Sequence, residues 1–548
     1  MAELVLGPLL RYVGESDATV WVETDAACVV EVLGHFSPTF HVEGHHYALV
    51  EVQGLEPGET HQYGVSLDGT SVWPEQGASF PPSVIRTIAK GAPLRLMFGS
   101  CRVSVPHESP YTLRKDEDKR GKENDALRTL ALRMCGQRPE EWPHLLMLLG
   151  DQIYADEVSK DTLAYIRSRR APGEEPVDQI GNFEEYTRLY HEAWGEPVLR
   201  WLLSTVSSAM IFDDHDVHDD WNTSDVWVRQ IRETSWWDER IVGAFMSYWI
   251  YQHLGNLSPQ HHAEDGLLAR VWEAADAGAL LREFAFKADR ESAGARWSFC
   301  RDLGTVRLVM MDSRAARVLD RRQRQMVDAA EWEWIEKHAT GDVDHLLLGT
   351  SLPLLPGPGM HYAEAWNEAV CAGAWGRWLA LGGEKLRQGL DMEHWSAFGH
   401  SFRQLTGLLR AVGAGERGKA PASITILSGD VHHAYLAKVL FRRAAGVQSS
   451  VYQAVCSPFR NPLDAHERRV ILAGWSRPAW LLGWALARAA GVRRPEVSWR
   501  LEHPQPWFDN QVATLDLHGR KALVRIERTV PGESAAPALE KVFERPLA

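Results

Sequence analysis

Six short apolar runs in this sequence end abruptly in polar residues, and no other feature constrains the fold as strongly. The runs are LRLMFGSC, HLLMLLGDQIY, SAMIFDDHD, VRLVMMDSR, HLLLGTSLPL and SITILSGDVHH, with long, tryptophan-rich, helix-like segments between them. Strand-like runs that alternate with helical segments are typical of a layered α/β domain. Ligand sites in such sheets collect beyond the carboxyl ends of the strands, so we expect the polar endings to form one site.

The first 90 residues follow a different pattern and predict a separate domain. Short alternating runs rich in Val, Tyr and Trp are separated by Gly, Pro and Asp turns, which is typical of an all-β fold. Residues 54–65 (GLEPGETHQYGV) resemble the turn and tyrosine corner of immunoglobulin-like and fibronectin-like sandwiches. We predict a β-sandwich over residues 1–90 and an α/β domain over residues 91–548, which includes a C-terminal β-hairpin extension at about 498–548.

Two further segments have the apolar spacing of helices. Residues 224–255 predict two helices that cover the site. Residues 478–490 (PAWLLGWALARAA) form the longest apolar stretch, which is shorter than the roughly 20 residues that a membrane span needs. We expect an amphipathic helix packed on the protein, with docking at a membrane surface as the alternative.

Composition narrows the classes of function. The chain of 548 residues has a net charge of −14 and no dense Lys/Arg block, which argues against nucleic acid as the partner. Its six cysteines have no CxxC spacing, so we expect reduced thiols and no disulfide scaffold. The N-terminus shows no basic n-region, twin arginine or cleavage-like site. We therefore expect a cytoplasmic protein, or a periplasmic or secreted one if a leader has been removed.

The polar endings supply residue types that bind metals. In chain order the polar residues are Cys101, Asp151, Tyr154, Asp213, Asp214, His215, Asp216, Asp219, Asp312, Arg314, Asp430, His432 and His433, and all of them except Arg314 are of metal-binding types. So many carboxylates at one sheet edge would repel one another and lose their charge unless cations held them. Two metal ions bridged by one carboxylate can generate a hydroxide and stabilise a displacement at phosphorus. The endings therefore predict a metal centre.

The motifs GSC, GDQIY, DDHD and GDVHH, in this order, resemble the alkaline phosphatase D (PhoD-like) family of calcineurin-like metallophosphoesterases. The resemblance implies an N-terminal accessory sandwich and a four-layer α/β/β/α domain. It implies hydrolysis of phosphate monoesters or diesters by a metal-bound hydroxide at a binuclear-type centre. Ferric iron with calcium is the implied metal pair, because thiolate and phenolate ligands favour ferric iron over zinc; zinc and manganese are alternatives.

Ligand roles follow from the resemblance position by position. Cys101 and Tyr154 would bind the first metal, and Asp151 would bridge it to the second. Asp430 and His432 would complete the metal sphere.

The remaining motif residues receive less direct assignments from the resemblance. Asp214 would bind the second metal, and His215 would protonate the leaving group, with Asp216 orienting its imidazole. Asp219 stands where relatives often carry asparagine and is the nearest replacement ligand. His433 is either a ligand, a substrate contact or a support for its neighbour. The superfamily's strand-end histidine has no counterpart in LLLGTSLPL, which leaves one coordination position without a residue.

Several polar residues admit two interpretations. Arg102 and Arg314 could each hold a substrate phosphate oxygen, or Arg314 could form a structural ion pair with Asp312. Asp213 could be a turn former, and Asp156 fits a solvated loop or a helix cap.

Two rival functions accompany the main prediction of phosphate-ester hydrolysis. One is a phospholipase D-like phosphodiesterase acting on lipid head groups, which the apolar WLLGWALA segment favours slightly. The other is a noncatalytic binding or scaffold protein that retains the fold, against which the intact ligand set speaks. We expect a small phosphate-ester substrate, no nucleic-acid partner and no transmembrane segment.

Overall fold

A computed structural model describes residues 1–291, 294–531 and 536–548 of the chain. Each of the six apolar runs contains a strand, because aliphatic and β-branched side chains suit the faces of a buried sheet. The strands are β1 (Leu4–Val13), β2 (Asp17–Thr24), β3 (Val29–Val32), β4 (His35–Pro38), β5 (Phe40–Val42), β6 (His45–Gln53), β7 (Thr60–Gln62), β8 (Val65–Leu67), β9 (Thr70–Trp73), β10 (Val84–Arg86), β11 (Leu94–Gly99), β12 (Leu145–Leu149), β13 (Ser207–Ile211), β14 (Phe299–Leu303), β15 (Val306–Met310), β16 (His345–Gly349), β17 (Ser423–Ser428), β18 (Tyr435–Leu440), β19 (Ser450–Val455), β20 (Ser498–Leu501), β21 (Gln511–His518), β22 (Lys521–Pro531) and β23 (Pro537–Pro546).

Helices occupy the tryptophan-rich segments, and several begin at a capping side chain. Asp125 and Ser224, for example, accept hydrogen bonds from backbone N–H groups of the first helical turn. The helices are α1 (Ala126–Cys135), α2 (Lys160–Arg169), α3 (Phe183–Trp194), α4 (Pro197–Thr205), α5 (Asp225–Ile231), α6 (Trp237–Ser247), α7 (Pro259–Asp265), α8 (Leu267–Glu273), α9 (Gly278–Arg290), α10 (Ala329–His338), α11 (Pro358–Cys371), α12 (Arg377–Gly389), α13 (Gly399–Gly413), α14 (Ala465–Gly474) and α15 (Arg477–Ala489). The two helices predicted within residues 224–255 are α5 and α6.

The N-terminal region is a β-sandwich of two antiparallel sheets. One sheet has the strand order β1-β2-β6-β5 and the other β4-β3-β8-β9, with a β7–β10 pair beside them. Tyr63 lies in the segment that resembles a tyrosine corner, but its hydroxyl donates to the carbonyl oxygen of Ser204 in α4 at 2.6 Å. This tyrosine therefore ties the sandwich to the second domain, whereas a tyrosine corner would bond within its own sheet.

The second domain contains two larger sheets whose central strands are parallel. The first sheet has the order β13-β12-β11-β21-β22-β23, and the second has the order β14-β15-β16-β17-β19-β18-β20. Strands β11, β12 and β13 are parallel, as are β15, β16, β17 and β19. The carboxyl ends of the parallel strands therefore gather at one edge of each sheet.

Packing between these elements produces four layers. Side chains of both sheets meet in one core, where Phe98 and Met147 of the first sheet join Met310 of the second. Helices α3, α4 and α6 cover the outer face of the first sheet, and α10 and α13 cover the outer face of the second. The predicted sandwich followed by an α/β/β/α domain is confirmed.

The C-terminal segment is more deeply integrated than a hairpin extension. Strands β21 and β22 form a hairpin, but β21 also pairs with β11 in the first sheet, and β23 adds a further strand. Strand β20 joins the second sheet beside β18. Helix α15 packs on α11, and no helix in the described ranges has both the length and the hydropathy for crossing a bilayer.

Candidate metal centre

Three of the predicted ligand segments follow buried parallel strands and meet at the strand ends. Cys101 follows β11, Asp151 follows β12 and Asp430 follows β17. The backbone φ is +58° at Cys101, +49° at Asp151 and +63° at Asp430. A left-handed conformation costs a non-glycine residue of the order of 1–3 kcal/mol, and such strain concentrates at functional sites. These turns bring the three side chains together.

Gly150 and Gly429 allow the strand ends to approach one another. A Cβ atom at Gly150 would lie 2.7 Å from the Cβ of Asp213, and one at Gly429 would lie 2.2 Å from the Oγ of Ser100. Neither position has room for a side chain. The glycine of each Gly-Asp ending is therefore required by close packing of neighbouring segments.

Cys101, Asp151 and His432 form one group of candidate ligands. Their ligand atoms lie within 4.8 Å of one another, and the Sγ of Cys101 is 3.2 Å from the Oδ2 of Asp151. Tyr154 is buried next to them, and its hydroxyl oxygen accepts a hydrogen bond from the Nδ2 of Asn461 at 3.2 Å. A thiol, a carboxylate, an imidazole and a phenol thus lie at this end of the site.

A second group consists of carboxylates from two strand ends. Asp213, Asp214 and Asp430 place one oxygen each within 4.8 Å of one another, and a further group joins Asp151 to Asp214 and His215. Asp151 therefore lies between the two groups, which is the position that a bridging carboxylate needs.

Burial and mutual repulsion make these groups costly to ionise without a cation. Burial raises the pKa of Asp151 well above its usual value, and the nearby Asp213 and Asp214 raise it further. Burial, followed by Asp151 and Asp430, likewise raises the pKa of the Cys101 thiol. The Oδ1 of Asp151 is buried and has no hydrogen-bond partner among the described residues. This donor set fits a bound cation, which would reverse all of these shifts.

The two adjacent histidines differ in their surroundings. Burial lowers the pKa of His432 to about 3, so its imidazole is neutral at neutral pH, the form that binds metals. The Nδ1 of His433 is 2.5 Å from the carbonyl oxygen of Val431, and its ring stacks on Tyr435 at 5.3 Å. His433 belongs to none of the ligand groups formed by the described residues.

His215 is oriented by Asp156, not by Asp216. The Nδ1 of His215 lies 3.0 Å from the Oδ1 of Asp156, which the sequence suggested was a loop or capping residue. Burial alone would lower the pKa of His215, but Asp156 outweighs it and raises that pKa well above 6.5. Asp216 instead accepts hydrogen bonds from the backbone N–H groups of Asp151 and Asp213 at 3.1 and 2.9 Å. The predicted orienting role of Asp216 is therefore wrong, and this residue braces the two turns.

Asp219 lies beside His215 at the exposed side of the site. Its Oδ1 is 4.0 Å from the Nε2 of His215, and its side chain is 63% exposed. It forms a ligand group with Asp156 and His215, which shares only His215 with the group that contains Asp151 and Asp214. Its role as a ligand of the second metal stays a prediction.

Arg314 is fully buried among carboxylates. Its guanidinium contacts Asp213, lies 3.0 Å from the Oδ1 of Asp214 and lies 2.6 Å from the Oε1 of Glu393. Asp312 is not its ion-pair partner, because the Oδ1 of Asp312 accepts the backbone N–H of Arg314 at 2.7 Å. In this position Arg314 holds the Asp213–Asp214 turn, and its contact with a substrate phosphate stays a prediction.

Arg102 also has a buried carboxylate partner. Its Nε donates to the Oδ2 of Asp125 at 2.7 Å, and its contact with substrate stays a prediction.

Arg102, Lys122 and Tyr154 line a cavity of about 210 Å³. The Nζ of Lys122 donates to the Oδ1 of Asn461 at 2.8 Å, and Asn461 in turn donates to Tyr154. Lys122 and Asn461 thus polarise the Tyr154 oxygen, and no sequence motif indicated this role.

Glu364 and His394 form a second carboxylate–histidine pair that the sequence motifs missed. The Nδ1 of His394 lies 2.6 Å from the Oε1 of Glu364, which is fully buried and also contacts Ser396. The Nε2 of His394 is buried, lacks a hydrogen-bond partner in the described ranges and lies 3.9 Å from the Oδ2 of Asp430. His394 therefore presents an unused nitrogen to the carboxylate group.

Comparison with known families gives one match that covers most of the α/β domain. Residues 131–459 match the family model described as PhoD-like phosphatase. Residues 1–85 match a model described as a domain of unknown function. No curated protein matches the sequence.

Two solved structures illustrate the structural likeness. One, described as "Structure of PhoD", has a TM-score of 0.59 at 12% identity and covers 99% of this chain and 90% of its own. The other is the purple acid phosphatase PPD1 from seeds of yellow lupin (Lupinus luteus), with a TM-score of 0.47 at 11% identity. That match covers 98% of this chain and 73% of the lupin chain. The likeness to PhoD extends over both domains and supports the fold.

Proposed function

Because this chain belongs to the PhoD-like phosphatase family, we propose that its strand-end cluster hydrolyses phosphate esters with bound metal ions. Family membership makes the protein a phosphoester hydrolase. The observation that carries the proposal is the convergence of Cys101, Asp151 and His432, where one buried oxygen of Asp151 has no hydrogen-bond partner among the described residues.

The two ligand groups suit two cations. The first cation would be held by Cys101, Asp151, Tyr154 and His432. The second would be held by Asp214, which groups with Asp430 and separately with Asp151, so that these three carboxylates are its proposed ligands. Ferric iron in the first site and calcium in the second fit these donors, since thiolate and phenolate suit iron and carboxylates suit calcium. Zinc or manganese are the alternatives. When bound, the cations supply Lewis-acid activation of water and neutralise charge on the phosphoryl group.

His394 is a further candidate ligand of the second cation. A metal-binding imidazole commonly donates its other ring N–H to a carboxylate, as the Nδ1 of His394 does toward Glu364. The 3.9 Å between its Nε2 and the Oδ2 of Asp430 suits two ligands of one ion, each about 2.0–2.6 Å from it. His394 would fill the position for which the GTSLPL segment offers no histidine.

His215 is proposed as the proton donor to the leaving group. Asp156 fixes its Nδ1, so the proton on Nε2 faces the exposed side of the site next to Asp219. Transfer of that proton to the leaving oxygen as the ester bond breaks would yield a neutral alcohol or phenol. Asp156 stabilises the protonated imidazole before the transfer.

Hydrolysis of two aryl phosphates with good and poor leaving groups tests this function. We expect the wild-type protein to hydrolyse both. His215→Ala should lose about 10²–10⁴-fold in kcat on the poor leaving group and distinctly less on the good one, because only the poor one needs a proton. His466→Ala, which changes an exposed histidine of α14, should leave both rates unchanged.

Two results would overturn parts of the proposal. A metal-loaded wild-type protein inactive on phosphate monoesters and diesters alike would contradict the hydrolase. Equal losses of His215→Ala on both substrates, together with loss of bound metal, would make His215 a ligand and not an acid. Rates on an aryl phosphate monoester and on the corresponding diester decide between monoester and diester preference.

A further inference from the structure

Helix α15 buries its small side chains and exposes its large apolar ones. Gly483 and Ala487 are buried, and a Cβ atom at Gly483 would lie 3.0 Å from the carbonyl oxygen of Gly359 in α11. The remaining surface of the helix carries four exposed large apolar residues, Trp480, Leu481, Leu482 and Trp484. The most exposed of them is Leu482, at 64%. A surface helix of a globular protein normally points its large apolar residues inward. This inversion marks a contact surface.

Helix α12 has the same inversion, and its N-terminal end lies near the C-terminal end of α15. Ala380 and Gly383 are buried, whereas Trp378 is 76% exposed. Both helices pack on α11, and the Nε1 of Trp375, just before α12, lies 3.4 Å from the carbonyl oxygen of Ala489 at the end of α15. We define the apolar face as Trp378, Leu379, Leu381, Trp480, Leu481, Leu482 and Trp484.

Arginines surround the α15 part of this face. Residues 468–495 contain six arginines and no acidic residue, in a chain whose net charge is −14. Arg477 and Arg488 are exposed at the two ends of α15. A groove of about 880 Å³ combines Trp480 and Trp484 with four arginines and one acidic residue, namely Arg442, Arg477, Arg494, Arg500 and Glu496. Positive charge is thus concentrated where the apolar side chains are exposed.

We propose that the apolar face docks on the surface of an anionic phospholipid bilayer. Tryptophan and leucine side chains enter the boundary between head groups and acyl chains, while arginines at the rim contact lipid phosphates. A second copy of this chain, related by a two-fold axis, would bring arginines against arginines. Charge complementarity therefore favours an anionic membrane over self-association.

The face is connected to the edge of the metal centre. The ring of His433 stacks on Tyr435 at 5.3 Å, and Tyr435 contacts Trp475 at 5.1 Å. Trp475 lies two residues before α15. Docking through α15 would therefore bring this edge of the site toward the bilayer. The docking itself does not depend on the proposed hydrolysis.

Co-sedimentation of the full chain with vesicles tests the proposal. We expect binding to phosphatidylcholine vesicles that contain phosphatidylglycerol, weak binding to phosphatidylcholine alone, and release by high salt. The double variant Leu481→Asp with Leu482→Asp should bind about ten-fold or more weakly, since two apolar side chains no longer insert. Arg488→Glu should bind about five-fold or more weakly to the anionic vesicles.

Controls separate docking from folding and from catalysis. Phe36→Asp replaces a 66% exposed aromatic residue of the sandwich with one carboxylate and should bind like wild type. All of these variants should keep the wild-type melting temperature and the wild-type rate on a soluble aryl phosphate. No binding to anionic vesicles, or equal binding by the double variant, would overturn the proposal. A wild-type dimer that the double variant converts to a monomer, without vesicle binding, would overturn it in favour of self-association.

Discussion

Asp151 and Asp430 hold left-handed backbone conformations that neighbouring residues stabilise. The backbone N–H of Asp151 donates to Asp216 at 3.1 Å, and that of Asp430 donates to the Oγ of Ser100 at 2.9 Å. The backbone N–H of each strained residue therefore has a hydrogen-bond acceptor. Bound cations would add to this stabilisation, because a ligand that binds only the folded state raises its stability.

At the same scale, His394→Gln tests the additional ligand. We expect the variant to keep its fold and its more tightly held metal but to bind the second metal about 10–100-fold more weakly, because a ligand nitrogen is lost. Equilibrium dialysis with elemental analysis measures both affinities. His400→Gln, at an exposed position of α13, is the matched control. Unchanged affinity for both metals would remove His394 from the ligand set.

Arg314→Met tests whether this buried arginine is structural. Because Asp213, Asp214 and Glu393 would lose their shared partner, the free energy of unfolding should fall by about 3–5 kcal/mol, measured by denaturant titration. Arg229→Met, in the exposed ion pair with Asp225, should cost under about 1 kcal/mol. A rise in KM with unchanged stability would instead support the substrate-phosphate role.

The sequence motifs were sufficient to locate the site but not the hydrogen-bond partners around it. Cys101, Asp151 and Asp430 could be predicted because each follows an apolar strand in a recognisable motif. Asp156 could not be paired with His215, because that contact spans 59 residues and arises from loop packing. His394 follows no strand at all and lacks a partner histidine at helical spacing, so its approach to the site depends on tertiary structure alone.

At the scale of elements, a chain of charged groups joins β2 and β6 of the sandwich to α3 of the α/β domain. Glu23 is 1% exposed and accepts hydrogen bonds from His45 at 3.1 Å and His191 at 2.9 Å. The other ring nitrogen of His45 lies 3.0 Å from Glu184. Burial would lower the pKa of His45, but Glu184 and Glu23 outweigh it and raise that pKa to about 9. The hydrogen bond from His45 lowers the pKa of Glu184 to about 2.

This network predicts how stability varies with pH. His45 contributes stability that is complete below pH 6.5 and is lost as the pH rises through about 9, since its pKa is higher in the folded state. Between these limits wild type should lose about 2 kcal/mol more free energy of unfolding than His45→Gln. His518→Gln, at an exposed histidine, should follow the wild-type curve. Parallel curves for wild type and His45→Gln would refute the coupling.

The elements themselves were largely predictable, and their pairing was not. Predominantly apolar runs identify β11, β12 and β17, because parallel strands covered on both faces carry mostly apolar residues. No local sequence pattern shows that β21 pairs with β11, because the paired residues Leu94 and Leu517 lie near opposite ends of the domain's sequence. The sequence pattern therefore predicts an appended hairpin, although the C-terminal strands β21, β22 and β23 belong to the first sheet.

For the whole molecule, both sheets contribute to one reaction site. Cys101 and Asp151 come from the first sheet, whereas Asp430 and His432 come from the second. The sandwich contributes none of the candidate ligands, and its contacts with α3 and α4 support the domain that carries them. We infer that this shared cluster hydrolyses phosphate esters only when it holds metal.

Bound metal per chain, measured by elemental analysis on the same samples as aryl-phosphate hydrolysis, tests that claim most directly. We predict that chelation removes metal and activity together and that added iron and calcium restore both. Asp151→Asn should fold but recover neither, whereas Asp161→Asn, an exposed residue of α2, should match wild type. A folded, metal-free protein that hydrolyses the ester at the wild-type rate would contradict the account.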